Sequence, residues 1–148
     1  FSANPGEEPK PLQKIVSGGE LSRIALALKT VCADHYGTET MVFDEVDAGI
    51  SGKVAQGVAE KIAWVSRKKQ VLCITHLPQI ACMADKHILA EKHIDGGRTL
   101  TLFRTLAKNE QIYEVTKMIS GNNVTKLGLD NTGELLKVAQ EIKSNMAN

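Results

Sequence analysis

The chain has 148 residues, 43% hydrophobic and 24% charged, with a formal net charge of +1. That is enough chain for one domain with a real core, in the proportions of an ordinary globular protein rather than a disordered or fibrous one. A charge so near zero excludes the broad basic field of a nucleic-acid-binding domain, so any DNA contact has to come from a local patch or from another part of a larger protein.

The chain begins at Phe1 rather than Met, which suggests a piece of something longer or a processed chain. No secretory signal is visible, and no apolar run approaches the roughly 18 residues of a membrane span. Cys32, Cys73 and Cys82 are odd in number and form no C-x-x-C pair. They read as core thiols of a reducing cytoplasm, ahead of a redox or metal role. Residues 1–14 carry Pro5, Pro9 and Pro11 with Gly6 and the Glu7–Glu8 pair, so they read as an extended connector. The remainder, 15–148, reads as the folded portion.

Ser17–Gly18–Gly19–Glu20 opens the first helix. Ser17 is a good N-cap, and Glu20 three residues on completes a capping box. Leu21, Ile24, Ala25, Leu28 and Cys32 follow at helical spacing, and the helix is expected to fade near 35–37. Plain capping is one reading of this start. The two glycines point to another, because each costs up to ~1 kcal/mol against alanine in a helix. Glycine makes sense where a ligand approaches the backbone closely. Bare amides, the helix dipole and the Ser17 hydroxyl then converge on an anion, most naturally a phosphate.

Met41–Ser51, MVFDEVDAGIS, is the centre of the chain. A short apolar run bounded by turn residues predicts a buried parallel strand. Side chains at the C-terminal end of such a strand face the crevice where open α/β sheets bind ligands. Adjacent carboxylates there, Asp44 and Glu45, point to opposite sides, so one can hold a metal ion and the other a water; the alternative is a strand that ends in acidic turn residues. Lys53–Ser66 reads as a second helix, with Val54, Val58, Ile62 and Val65 inward, followed by a solvated basic turn, Arg67–Lys69. Val71–Ile74 is another apolar run, ending in Thr75–His76. Strand, helix and strand at this spacing make a right-handed βαβ unit. Its parallel strands end on one edge of the sheet, which brings His76 to the crevice of Asp44 and Glu45; a lone strand-end histidine would otherwise read as structural.

Pro78–Ala84 reads as a short helix. His87–Lys92 and Arg98–Arg104 flank Asp95–Gly96–Gly97, a strong hairpin signal. Thr99–Leu102 alternate as a half-buried strand should, and His87 and His93 read as surface residues. Ile112, Val115, Met118 and Ile119 mark a helix stopped at Gly121–Asn122. A last helix is expected from near Asn131, with Glu134 in the capping-box position and Leu135, Ala139, Ile142 and Met146 on its apolar face.

Three motifs now stand in order, and together they resemble the C-terminal part of an ABC-type (P-loop NTPase) ATPase head. Val16–Glu20, VSGGE, is similar to the ABC signature, and Met41–Glu45, MVFDE, to a Walker B strand with its adjacent glutamate. Ala48, Gly49, Ile50 and Ser51 fall at the D-loop and His76 at the switch histidine. The runs Asn4–Lys29, Phe43–Gly52 and Ile74–Lys92 closely resemble the RecN family, SMC-like bacterial proteins of DNA double-strand-break repair. The close match covers about the first two-thirds of the chain, and the C-terminal helices fit more loosely.

This resemblance implies an α/β fold, with a parallel βαβ core, a β-hairpin and C-terminal helices. It implies ATP and Mg²⁺ as cofactors, with Asp44 holding Mg²⁺ through water, Glu45 orienting and polarising the attacking water, and His76 contacting the γ-phosphate. Ser17, Gly18, Gly19 and Glu20 would serve the ATP of the opposite protomer in a head-to-head homodimer, and Ala48–Ser51 would touch that protomer. The implied setting is the bacterial cytoplasm and nucleoid, with DNA bound through the full-length protein, other recombination proteins as possible partners, and no membrane. Other readings are another SMC-like head, of Rad50 or RecF type, or a non-catalytic dimerisation or DNA-binding module. Glu20 stands where the wider ABC pattern has Gln, and Ser51 where transporters often have Asp, which puts a transporter-style D-loop contact in doubt. No G-x-x-x-x-G-K-[ST] occurs. Gly49–Lys53, GISGK, lacks the spacing, and Val54 stands where Ser or Thr is needed. No long heptad coiled coil is present either.

Overall fold

Two short strands at either end of one helix set the architecture of the first half. The computed structural model describes Gly6, Glu8, Pro11, residues 17–31 and residues 38–146. The connector expected over 1–14 and the helix end expected near 35–37 lie outside the described residues, apart from those three. The chain divides into two compact units, Phe1–Thr75 and His76–Asn148, each taken by itself below.

In the first unit, α1 (Gly18–Val31) precedes β1 (Thr40–Phe43), α2 (Gly52–Ser66) and β2 (Gln70–Cys73). The strands pair in parallel, from Thr40 opposite Gln70 to Phe43 opposite Cys73. Parallel pairing needs a crossover, and α2 supplies it, packing on β2 and α1. Met41 and Phe43 are buried, and the Lys29 ammonium lies 5.2 Å from the centre of the Phe43 ring. Val42 and Leu72, on the other face of the pair, are 57% and 45% exposed. The strand expected to be buried on both faces thus alternates instead, because within this unit the helices cover one face.

The inward face of α2 matches the expected one in part, and that of α1 differs from the expected one. In α2 the buried residues are Ala55, Ala59, Ile62, Ala63 and Val65, while Val54 is exposed. Alanines one turn apart let the helix lie close to its neighbours. In α1 the buried residues are Gly19 and Leu26, with Leu21 and Leu28 exposed.

The second unit holds α3 (Pro78–Cys82), β3 (Ile88–Asp95), β4 (Arg98–Thr105), α4 (Lys108–Ser120) and α5 (Lys126–Asn145). The expected hairpin turns at Gly96–Gly97, with φ of 54° and 79°. Positive φ at both central residues is the tight hairpin turn that matches strand twist. Antiparallel register runs from Asp95 opposite Arg98 to Ile88 opposite Thr105. All eight residues of β4 are exposed, against the half-burial that Thr99–Leu102 suggested. The helices pack chiefly on one another, while Arg104 reaches from the hairpin to Glu110 at 2.6 Å and Glu91 at 3.4 Å.

Gly121 ends α4 with a φ of 64°, as expected. α5 begins earlier than expected, at Lys126. The Thr125 hydroxyl caps it by accepting from the Gly128 amide at 3.1 Å, so Asn131 and Glu134 are interior helical residues. Thr116 and Thr132 are buried, with hydroxyls 2.9 Å apart, joining α4 to α5. His87, expected at the surface, is half-buried, and loss of solvation pulls its pKa down. Burial raises the pKa of the Cys73 and Cys82 thiols to about 11, which leaves both un-ionised at neutral pH. Cys32 lies outside the described residues. Among the described residues, no helix is long and apolar enough to cross a membrane.

Candidate functional site

Local geometry explains why the start of α1 and the turn after β1 come together. The capping box forms as the sequence requires. The Ser17 amide donates to Glu20 Oε2 at 2.8 Å, the Glu20 amide donates to Ser17 Oγ at 3.3 Å, and the Ser17 hydroxyl lies 3.1 Å from Glu20 Oε2. Gly18 and Gly19 contribute the first helical amides, which have no acceptor within the helix.

These bonds hold the Glu20 carboxyl below the usual carboxylate range, the Ser17 amide contributing most and the Ser17 hydroxyl next. A folded-state pKa below the unfolded one adds stability that is present above the unfolded pKa, near 4.5, and is lost as pH falls through the folded value. Chemical denaturation should therefore show wild type above Glu20→Gln at neutral pH, with the gap narrowing as pH drops below about 4. A gap that stays constant with pH would show that ionisation of Glu20 contributes nothing.

The two glycines have a packing reason that the sequence did not reveal. A Cβ on Gly19 would lie 2.7 Å from Ala48 Cβ and 2.8 Å from the Ala48 carbonyl oxygen; one on Gly18 would lie 2.7 Å from Glu45 Oε2. The chain's own turn therefore sits directly on the helix start. That turn leaves β1 at Asp44, whose Oδ1 accepts from the Glu45 amide at 2.9 Å. Glu45 has a φ of 57°, the one non-glycine residue in the left-handed region among those described. For an L residue other than Asn, Asp or Gly that conformation costs roughly 1–2 kcal/mol, and such strain gathers at functional sites. The Ala48 amide donates to the Glu45 carbonyl at 3.1 Å and closes the turn.

Three further contacts fix the turn, through side chains to which the sequence analysis gave no role. The Ser22 hydroxyl donates to the Asp44 carbonyl at 3.0 Å. Arg23 Nη1 donates to the Ala48 carbonyl at 2.7 Å and lies 3.4 Å from that of Val46. Asp47 is buried, and its Oδ2 accepts from the Thr75 hydroxyl at 2.6 Å. That bond ties the turn after β1 to the segment after β2, where the Ile74 amide also donates to the Phe43 carbonyl at 3.0 Å. The signal that would have found Ser22 and Arg23 is their spacing, three and four residues after Gly19 on the same helical face.

Ser17, Gly18, Gly19, Glu20, Asp44, Glu45 and Ala48 thus form one cluster. Gly49, with a φ of 71°, is exposed at the outer end of the turn. Ile50 donates its amide to the Asp47 carbonyl at 3.4 Å, and the Ser51 carbonyl accepts from Ala55 as α2 begins. His76 is exposed and opens the second unit. A groove of about 780 Å³ in that unit, lined in part by Lys108, Lys137 and Lys143, contains none of the motif residues.

Asp44 and Glu45 are both exposed. Among the described residues no group of three or more His, Cys, Asp or Glu is placed to hold a metal ion. One outward carboxylate fits Mg²⁺, which keeps several waters and is usually held by one or two carboxylates together with substrate phosphates.

No protein-family model matches the chain. It is 51% identical over 145 residues to DNA repair protein RecN of Halalkalibacterium halodurans and 49% over 144 residues to that of Bacillus subtilis. It is 47% identical over 136 residues to that of Deinococcus radiodurans. These alignments take in 98%, 97% and 92% of this chain and 26%, 25% and 24% of the relatives, so the chain spans about a quarter of their length. By fold it is similar to a solved chain from work on the structural biochemistry of ATP-driven dimerisation and DNA-stimulated activation of SMC ATPases. The TM-score is 0.52 at 23% identity, covering 80% of this chain and 70% of that one.

Proposed function

We propose that this chain, RecN-like in sequence over nearly its whole length and SMC-ATPase-like in fold, supplies the hydrolytic carboxylates and the trans-acting signature of an ATP-driven head dimer in DNA repair. The observation that carries this reading is the direct seating of the Gly18–Gly19 helix start on the turn that bears Asp44 and Glu45. That cluster brings the first amides of α1 together with the exposed Asp44 and Glu45, the Glu45 carboxylate lying against Gly18.

When bound, Mg²⁺-ATP supplies the phosphoryl group that is transferred to water. Asp44 would hold Mg²⁺ through water, and Glu45 would orient the attacking water and accept its proton. The amides of Gly18 and Gly19 with the Ser17 hydroxyl would serve the γ-phosphate of the partner protomer's ATP. Donation from Ser17 needs its proton to turn away from Glu20 Oε2. The segment at Ala48–Ser51 would face the partner, and His76 would contact the γ-phosphate of its own protomer's ATP. DNA contact is assigned to other parts of the longer protein, in keeping with the net charge of +1.

The chain has no P-loop motif of its own, so the phosphate cradle and its lysine come from elsewhere in the longer protein. Purified alone, the 148-residue chain should not hydrolyse ATP; covalently joined to its P-loop segment, it should, with stimulation by DNA. Steady-state turnover by the isolated chain, proportional to its concentration and lost in Asp44→Ala, would overturn this division of labour.

A further inference from the structure

We infer that Arg23 is a positioning residue for Glu45, holding the turn that aims its carboxylate and tying that aim to the helix whose first residues face the partner's ATP. This inference rests on the proposed role of Glu45 as the water-orienting base.

The geometry is specific. Glu45 stands in the left-handed region, which residues with a Cβ leave readily when nothing holds them there. On either side of it, the carbonyls of Asp44, Val46 and Ala48 are all directed at α1. Ser22 donates to the first, and one guanidinium nitrogen of Arg23 addresses the other two at 3.4 and 2.7 Å. Arg23 is half-buried, so these bonds are partly shielded from water. A guanidinium keeps its charge at any working pH, and the two N–H groups on one of its terminal nitrogens can address two neighbouring carbonyls. Without it, the peptides that follow Glu45 lose their anchor while Ser22 still holds the one before it, and the carboxylate loses its direction. Gly19, buried beneath Ala48, stands one helical turn before Arg23. A displacement of the helix start by a bound phosphate therefore reaches the Glu45 turn through the same helix.

The test is steady-state and single-turnover kinetics on the full-length protein carrying this segment. Misplacement of a catalytic group by about 1 Å costs on the order of 10²-fold. Arg23→Ala should lower kcat by about that factor, while KM for ATP and the ATP concentration needed for dimerisation stay at wild-type values. Arg23→Lys, which keeps a charged donor on a stem only one bond shorter, should fall between and provides the reading if Arg23→Ala fails to fold. In a Glu45→Gln background, Arg23→Ala should produce no further loss, because residues that act as a unit are not additive.

Wild-type kcat in both Arg23 variants would overturn the inference. So would a full additional loss on top of Glu45→Gln, or a change confined to KM or dimerisation. If Glu45→Gln alone turns over normally, the base assignment itself fails, which is a separate and visible outcome.

Discussion

Glu45→Gln in the complete head should retain ATP binding and slow hydrolysis by about 10²–10⁴-fold, the range a positioned general base contributes. The substitution is clean here for a structural reason. Gln has the same size and the same backbone requirement as Glu, so the left-handed φ of 57° is neither relieved nor worsened. Asp44 Oδ1 accepts from the backbone amide of residue 45, which the change leaves in place. What is lost is the ability to accept the proton of the attacking water. The variant should therefore accumulate as an ATP-bound dimer, visible by size-exclusion chromatography with ATP in the buffer. Near-wild-type turnover would move the base elsewhere, with His76 the next residue to replace.

The second large effect concerns the start of α1. Ser17→Asp should leave each full-length protomer able to bind ATP through its own P-loop, yet abolish ATP-driven dimerisation and turnover. Asp is as good an N-cap as Ser. Because Glu20 Oε2 lies 3.1 Å from the Ser17 hydroxyl, the change is made in a Glu20→Gln background, which keeps the capping box without a like-charge contact in cis. The new carboxylate then stands where the partner's γ-phosphate would arrive. Like charges brought together across an interface cost several kcal/mol, on the order of 10²-fold or more in affinity. Ser17 is preferable to Gly18 for this test. Any side chain at Gly18 would strike Glu45 Oε2 of the same protomer, which confuses an effect in cis with one in trans. Mixing Ser17→Asp with a P-loop lysine variant creates one composite site with both halves intact, and activity should return. Dimerisation of Ser17→Asp at wild-type ATP concentrations would reduce the Ser17–Gly19 segment to a helix cap.

Legibility in the sequence followed the kind of interaction. The capping box was plain because Ser17 and Glu20 satisfy each other locally, three residues apart. The parallel β1–β2 pair was plain because two short apolar runs with a helix-length crossover have few other arrangements. The inward face of α1 was not, because it is Gly19, Ser22, Arg23 and Leu26, and periodicity weights large apolar residues. Two of those positions are polar groups consumed by backbone carbonyls of a turn more than 20 residues away in sequence. The strain at Glu45 had no sequence signal either, since nothing about glutamate marks a left-handed backbone. The start of α5 was misplaced because Asn131 and Glu134 mimic a capping box, whereas Thr125 forms the cap that exists.

The hairpin has a consequence for how the molecule avoids its own kind. Among the described residues the ribbon has two strands, which leaves an outer edge on each, the kind of edge that templates edge-to-edge aggregation. Here it also shows solvent a row of apolar side chains, including Ile94, 82% exposed, and Phe103, 71% exposed. Charges interrupt that row. Lys92 stands two residues before Ile94 on the same face of β3, and Arg98 and Arg104 lie on the opposite face of the ribbon, in β4, beside Leu100 and Leu102. A second ribbon docking edge to edge would have to bury or crowd these ammonium and guanidinium groups. Charges placed in this way are the pattern that discourages edge-to-edge pairing of an exposed β-ribbon.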